Sequence, residues 1–364
     1  MRIKKKRISL LHNMIPTIRL HSQQLQNPAF DNPKDLVSWM GAIQAQDYAM
    51  SKWAIGIRLK SGNLQMVSKA LQKGEILRTH VMRPTWHYIV AEDIRWMLKL
   101  SSQRIIAAND SFAKGQGQDI STAIYNKANN LLEKILAGNN HLTKQEIEDI
   151  FSKEGFGTDD RQSNRFLTHA EAKGIICSGI DKGNKITYAL LEERVPPVRE
   201  LHKEEALAKL AHNYFRSHSP ATLNDFIWWS GLSATNARQA IASIEQELIS
   251  ERFAAQKMYL HQSYKEEKEK NVLHFLPSYD EYLIGYKNRT DVLEKEHQSK
   301  AFNSFGLFRP VILYNGKIVG NWNKSFKKKE MTLKIDWFEK DTEVKKELLS
   351  KAQQKYITFL MGEK

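Results

Sequence analysis

Ile76-Leu77-Arg78-Thr79-His80-Val81 and Thr85-Trp86-His87-Tyr88-Ile89-Val90, separated by Met82-Arg83-Pro84, are the runs on which the reading of this chain turns. Both are rich in β-branched and aromatic residues and enclose a short proline-containing turn, which is a hairpin signal. Upstream, Asp35-Leu36-Val37-Ser38-Trp39-Met40 has helical apolar spacing and starts beside Pro33, whose fixed φ suits a first helical turn. The stretch 51–59 fits a strand or a short helix, and 63–74 reads as a helix closed by Gly74. Helix, helix, hairpin is the order of a winged helix.

That order recurs twice downstream. After helices over 92–109 and 121–136, Thr143-Lys144-Gln145-Glu146 has the spacing of a capping box, and Ile147, Ile150 and Phe151 continue an apolar face. A second helix over 160–176 leads to strands at 175–179 and 186–190 around the turn Asp181-Lys182-Gly183-Asn184. Beyond the stiff connector Val195-Pro196-Pro197 and a helix over 204–218, a third copy spans 221–229, 233–249 and a small wing, Phe253-Ala254-Ala255 with Met258-Tyr259-Leu260. Trp228 and Trp229 are expected between the units. Diverged copies of one supersecondary unit make an architecture, because each buries an apolar face against its neighbour. Past the charged stretch 265–270 the period changes to β-runs at 272–276, 311–314, 317–320 and 331–337, with Asn315-Gly316 as a strong hairpin turn. The expected fold is therefore α+β: three tandem winged-helix motifs (15–110, 111–195, 198–264), then a small β-barrel with a terminal helix (271–364).

Composition points to a polyanion. The 364 residues carry 55 Lys plus Arg against 41 Asp plus Glu, a formal charge of +14 and a pI near 9.5, which favours nucleic acid as partner. The lone cysteine, Cys177, excludes an internal disulfide and a zinc site built on several thiolates, and its apolar setting suits a buried structural thiol. Gly115-Gln116-Gly117-Gln118 lacks the lysine of a phosphate loop, so no cofactor or metal is called for. No run is long enough to span a bilayer, and the basic start Met1–Arg7 carries no cleavage-site pattern, so a cytoplasmic protein is expected, with 324–329 as a second basic segment able to lie along DNA.

The candidate chemistry sits in Gly41-Ala42-Ile43-Gln44-Ala45-Gln46-Asp47-Tyr48, where a helix runs out into a loop. Carboxamides have no protonation step near neutral pH but offer donors and an acceptor in a fixed plane. Gln44 and Gln46 can thus hold a water without deprotonating it, while Asp47 stabilises positive charge developing on a sugar. The other reading is that Gln44, Gln46 and Asp47 cap a helix and satisfy loop amides. Arg78, His80, Arg83, Trp86, His87 and Tyr88 crowd the hairpin, a combination suited to holding phosphates and wedging an aromatic against a displaced base. Arg161, Arg165, His169 and Lys173 follow one another on the second unit's helix, where they suit a groove or simply a solvated face.

Three blocks, in this order, carry a family resemblance: Gly41–Tyr48 with Lys52-Trp53-Ala54; Leu77–His87; and Leu276-Pro277-Ser278-Tyr279-Asp280-Glu281-Tyr282-Leu283. Together they resemble the winged-helix DNA glycosylases of the AlkZ and YcaQ type over nearly the whole chain. The resemblance implies three winged helices and a β-barrel around a DNA channel, and excision of bulky N7-alkylpurines, in some members from interstrand crosslinks. The family's motif of Gln, an apolar residue, then Gln or Asp falls on Gln44-Ala45-Gln46. The expected activity is a monofunctional glycosylase acting as a monomer on double-stranded DNA with an alkylated purine. No lysine in the motif supports imine formation and strand cleavage. The competing expectation is a non-catalytic winged-helix regulator, which would select one sequence from random duplexes.

Overall fold

The computed structural model describes residues 14–157, 160–253, 256–266, 271–327 and 330–362. The basic start Met1–Arg7, Ala254-Ala255 of the third wing, and the ends of the two charged stretches (267–270 and 328–329) lie outside the described residues.

After helix α1 (14–22), one pattern occurs three times: helix, short strand, two helices, hairpin. The first unit is α2 (Pro33–Met40), β1 (Ile43–Gln44), α3 (Tyr48–Gly56), α4 (Leu64–Gln72), β2 (Ile76–Val81) and β3 (Thr85–Val90). The long helix α5 (Ile94–Gly115) leads to the second: α6 (Thr122–Leu136), β4 (Leu142–Thr143), α7 (Lys144–Lys153), α8 (Asp160–Ala172), β5 (Ile176–Ser178) and β6 (Thr187–Leu190). Through α9 (Leu191–Arg194) comes the third: α10 (Lys203–His218), β7 (Ala221–Thr222), α11 (Leu223–Ser230), α12 (Ala234–Ala242), β8 (Leu248–Phe253) and β9 (Gln256–His261). In each unit the short strand pairs with the second hairpin strand, giving antiparallel sheets of order β1-β3-β2, β4-β6-β5 and β7-β9-β8. The 51–59 stretch, open between strand and helix, belongs mainly to α3.

Local chemistry sets these limits. Asn32 accepts from the Asp35 amide at 2.9 Å and Pro33 opens α2; Asn63 accepts from the Met66 amide at 2.8 Å to start α4. At the end of α2, Gly41 takes φ +76°, and a Cβ there would stand 2.8 Å from Asn213 Cβ on α10. The glycine thus lets the first and third units close on each other while turning the chain into β1.

The C-terminal region corrects one expectation. It consists of β10 (Leu273–Leu276), α13 (Glu281–Ile284), α14 (Gln298–Ala301), β11 (Val311–Tyr314), β12 (Lys317–Lys327), β13 (Glu330–Trp337) and α15 (Lys346–Met361). Its sheet is open, in the order β10-β11-β12-β13, with no closing pair between β10 and β13 among the described residues. Four strands, two of them only four residues long, are too few to wrap into a barrel with a fillable interior. α15 covers the sheet instead. Tyr356 packs on Trp53 and Trp322 at ring distances of 5.1 and 4.9 Å, and Phe359 lies 5.0 Å from Trp53, so this helix seals the sheet against the first unit. The basic segment from Lys324 continues strand β12 to Lys327 and is not a loop. Asn315 and Gly316 both have positive φ, as the hairpin turn requires.

One apolar cluster joins the first unit to the C-terminal sheet, another links α5 to the third unit, and a third fills the second unit. Cys177 is fully buried, and burial pushes its thiol up to about 12, as expected of a structural residue. Among the described residues no helix is long and apolar enough to cross a membrane.

Candidate active site

The three units part company where the short strand meets the next helix. In the second and third, the last strand residue is itself the N-cap: Thr143 and Thr222 each form a capping box, with Glu146 and Asp225, and the helix starts at the next residue. Gln44 holds the equivalent place in the first unit, pairing with His87 on β3 as Thr143 pairs with Thr187 and Thr222 with Met258. Here Ala45, Gln46 and Asp47 intervene before α3, and Asp47 does the capping, accepting from the Met50 amide at 3.1 Å. The capping reading therefore holds for Asp47 and fails for both glutamines.

Gln44 is 2% exposed and tightly held. Its backbone amide donates to Glu281 Oε1 at 2.7 Å, and its side-chain oxygen accepts from Arg83 Nη2 at 3.3 Å and Thr85 Oγ1 at 3.4 Å. Among the described residues no acceptor meets its amide nitrogen. Gln46 is exposed, and its carboxamide makes no hydrogen bond among the described residues. Between them Ala45 is pinned by its backbone: its amide donates to Trp86 O at 2.7 Å and its carbonyl accepts from Arg78 Nε at 3.0 Å. Asp47 Oδ2 accepts from Ser278 Oγ at 2.9 Å. The result is a rigid loop carrying one fixed and one free carboxamide beside a half-buried carboxylate.

A single C-terminal segment buttresses this loop. Ser278 holds Asp47; Asp280 forms a buried bidentate pair with Arg58 at 2.9 and 2.7 Å; Glu281 holds Gln44. Tyr279 sits between them at φ +58°, a conformation that tyrosine seldom adopts. Glu281 is fully buried and also accepts from Trp229 Nε1 at 3.1 Å, with His218 Nε2 at 3.3 Å. Burial opposes its charge, yet the hydrogen bond and electrostatic interaction with His218 and the nearby Arg83 guanidinium leave its carboxyl below the usual range. It stays an anion that ties together the first unit, the third unit and the C-terminal region. Sequence reading missed this role of Ser278 and Glu281, although two acids embedded in the apolar run Asp280-Glu281-Tyr282-Leu283-Ile284 are a signal of buried, partnered carboxylates.

The hairpin residues divide by burial. Tyr88 is fully buried with its hydroxyl accepting from Ser51 Oγ at 3.1 Å, and His87 is fully buried with Nδ1 on the Thr85 carbonyl. Burial, reinforced by the Arg83 charge, pushes His87 down to about 3, so its ring is neutral. His80 pairs with buried Glu171 at 2.6 Å, and buried Arg78 donates through its backbone amide to Ser178 Oγ at 2.9 Å. These four side chains are buried because the hairpin packs among α2, α4, α5 and the second unit's α8 and β5. Trp86 is half-buried, layered between the Arg78 guanidinium at 4.0 Å and the His80 ring at 3.9 Å, and Arg83 is half-buried at the turn. Tyr48, whose hydroxyl donates to Asp181, and Lys52 join the first and second units at the same edge.

On α8, Arg161 is exposed and Arg165 lies half-buried over the Phe112 ring at 4.6 Å. His169, expected on the same basic face, is instead in the core, stacked on Tyr125 at 4.1 Å, because α8 packs against α5 and α6. Trp229 is fully buried and Trp228 only half-buried. His212, Glu247 and His261 cluster at ligand-like distances, but Arg216 donates to His212 Nε2 and the Ser263 amide to His261 Nδ1. Both remaining ring N–H groups then point at Glu247, an arrangement of donors on a carboxylate rather than of metal ligands.

A family model described as DNA glycosylase AlkZ-like matches residues 37–359. The chain belongs to this family of DNA glycosylases. A curated relative, the interstrand DNA cross-link repair glycosylase of Streptomyces sahachiroi, is 22% identical over 321 residues, covering 84% of this chain and 85% of that protein. The solved structure of the Streptomyces sahachiroi DNA glycosylase AlkZ superposes with a TM-score of 0.76 at 19% identity, covering 95% of this chain and 96% of that one, and so shares its fold. The matched region contains the Gln44 loop, the hairpin and the Ser278–Glu281 buttress.

Proposed function

We propose that the chain is a monofunctional DNA glycosylase that hydrolyses the N-glycosidic bond of N7-alkylated purines, bulky or crosslinked adducts included, in double-stranded DNA. The observation that carries this reading is the three-residue insertion Ala45-Gln46-Asp47. It takes the capping duty from the position of Gln44 and leaves two carboxamides on a braced loop with nothing structural for Gln46 to do. The proposal includes the three repeated units acting as winged helices over 15–110, 111–195 and 198–264, a monomeric enzyme, and no cofactor. The relative's name adds crosslinked DNA to the candidate substrates.

The chemistry needs little from the protein. An N7-alkylpurine is already cationic, so the C1′–N9 electron pair departs with the base, which leaves neutral, and no general acid is needed. Water adds to C1′ and yields an abasic site. Gln44 offers N–H donors and Gln46 either hydrogen-bonding role, so the two fix the water's lone pair on the sugar carbon, and proximity of this kind lowers the barrier without either carboxamide acting as a base. Asp47, with Oδ1 on an amide and Oδ2 on a hydroxyl, is oriented to stabilise the positive sugar and to receive the water's proton. With His87 neutral beside Gln44, no histidine cation is placed against that positive charge. The test is an oligonucleotide duplex with a single N7-alkylguanine: base release by the wild type and its loss in the Gln44→Ala, Gln46→Ala double variant support the reading, and equal release by both overturns it.

A further inference from the structure

Arg83, Lys287 and Arg289 converge on the face of one indole. The guanidinium carbons of Arg83 and Arg289 stand 5.8 and 5.3 Å from the centroid of Trp228, and Lys287 Nζ stands 4.7 Å from it. None of the three forms an ion pair with a carboxylate among the described residues. Arg289 is the telling member. It is 8% exposed, with its guanidinium also against the Phe302 and Phe308 rings at 4.8 and 5.1 Å. Its Nε donates to the Leu283 carbonyl at 2.8 Å and Nη1 to the Lys287 carbonyl at 3.4 Å, but Nη2 is buried without a partner, as is Nε of Arg83.

Two other buried arginines of this fold are neutralised, Arg58 by Asp280 in bidentate geometry and Arg19 by Asp291 at 3.4 Å, and buried Arg78, which has no ion pair among the described residues, donates instead to the Ala45 carbonyl. The acids nearest the Trp228 cluster are already committed. Asp225 accepts from Thr222 and from the amides of Lys287 and Asn288, and Glu281 accepts from Gln44 and Trp229. A desolvated cation without a counter-ion is costly, more so with like charges beside it. Burial and the Arg83 charge accordingly bring Arg289 down to about 10. An anion with several acceptor oxygens would satisfy Arg289 Nη2, Arg83 Nε and Lys287 Nζ together.

We propose that Arg83, Lys287 and Arg289 on the Trp228 platform bind one phosphodiester group of the strand that carries the damaged nucleotide. The proposal rests on the glycosylase reading. Arg83 links the two sites, because it also donates to the Gln44 carboxamide oxygen at 3.3 Å. The bound phosphate therefore lies within one residue's reach of the water-holding amide, and it sets the register of the strand so that a single sugar faces the loop.

The test is binding, measured without cleavage, to a duplex holding a tetrahydrofuran abasic analogue, with a neutral methylphosphonate placed at each linkage around it in turn. In the wild type one linkage is expected to weaken binding about tenfold when neutralised, the scale of a lost charge-assisted contact. Lys287→Gln and Arg289→Gln should bind the unmodified duplex more weakly, show a log–log salt slope shallower by about 0.9, and lose less than about threefold at that linkage. Lys287 is exposed, so its variant keeps the test informative where Arg289→Gln disturbs folding. Full wild-type sensitivity at every linkage in Lys287→Gln, or no sensitive linkage in the wild type, overturns the proposal. Base release is scored separately: a charge-sensitive site in a protein that releases no base keeps this inference and removes the glycosylase reading, and the reverse result does the opposite.

Discussion

The junctions after β1 and β4 start from the same geometry and end with different jobs. After β4, Thr143 closes its strand and caps α7 through a reciprocal box with Glu146, whose carboxylate also pairs with Lys182 of its own unit. After β1, the equivalent place is a glutamine, the cap has moved to Asp47, and the loop is held by Arg78 and Arg83 from the same unit's hairpin and by Ser278 and Glu281 from the C-terminal region. Spare residues at one junction of a repeated architecture, braced by distant parts of the chain, indicate a position shaped by something other than folding. The departure from the internal repeat and the glutamine motif fall on the same residues.

The contrast can be broken or sharpened by measurement. The largest effect on stability is expected from Glu281→Ala, which leaves the amide of Gln44, Trp229 Nε1 and the neighbouring Arg83 without their buried anion; loss of one partner of such a cluster costs about 3–5 kcal/mol. Chemical denaturation should show that loss, and base release should fall with it even at temperatures where the variant is folded. A stability close to wild type would mean that the buttress does not brace the loop.

Next in size is the response to acid. His87 and His274 are both buried, and burial pushes each down to about 3, against 6.5 when free. The unfolded chain therefore binds protons that the native one refuses, and stability is full above about pH 6.5 and falls as pH drops below it, by at most about 1.4 kcal/mol per pH unit for each histidine. Melting temperatures between pH 7 and 5 check the sign. Replacing His87 by Gln should flatten part of the slope.

The smallest effects separate capping from chemistry. Thr143→Ala should cost about 1 kcal/mol of stability and leave base release unchanged. Asp47→Ala should cost a similar amount and also slow base release by at least about tenfold, whereas Asp47→Ser restores the cap and the stability but not the rate. A fully active Asp47→Ser would reduce Asp47 to what Thr143 is, a cap.

Much of this organisation was legible in the sequence because it depends on local signals. The hairpin around Met82-Arg83-Pro84, the capping box at Thr143 and the Asn315-Gly316 turn each follow from a few adjacent residues. The repeated order of elements follows from them. What escaped was set by packing between distant segments. Tyr88 and His87 carry the residue types of a DNA-contacting ribbon, yet both are fully buried, with the Tyr88 hydroxyl on Ser51 and His87 Nδ1 on the Thr85 carbonyl. His169 shares a helix with Arg161 but faces Tyr125. The expected barrel was an inference from alternating runs, which report strands without saying whether the last meets the first. The Trp228 cluster unites Arg83 with Lys287 and Arg289, far apart in the chain, and no spacing rule connects them.

Gln46 offers the most direct test of the central claim, because its side chain is exposed and makes no hydrogen bond among the described residues, so that its replacement removes nothing the fold uses. Single-turnover base release from an N7-methylguanine duplex by Gln46→Ala should be slower than wild type by about 10²-fold, with an unchanged melting temperature and unchanged affinity for the duplex. A wild-type rate in that variant would contradict the account, and the inserted residues would then be a linker with no part in the reaction.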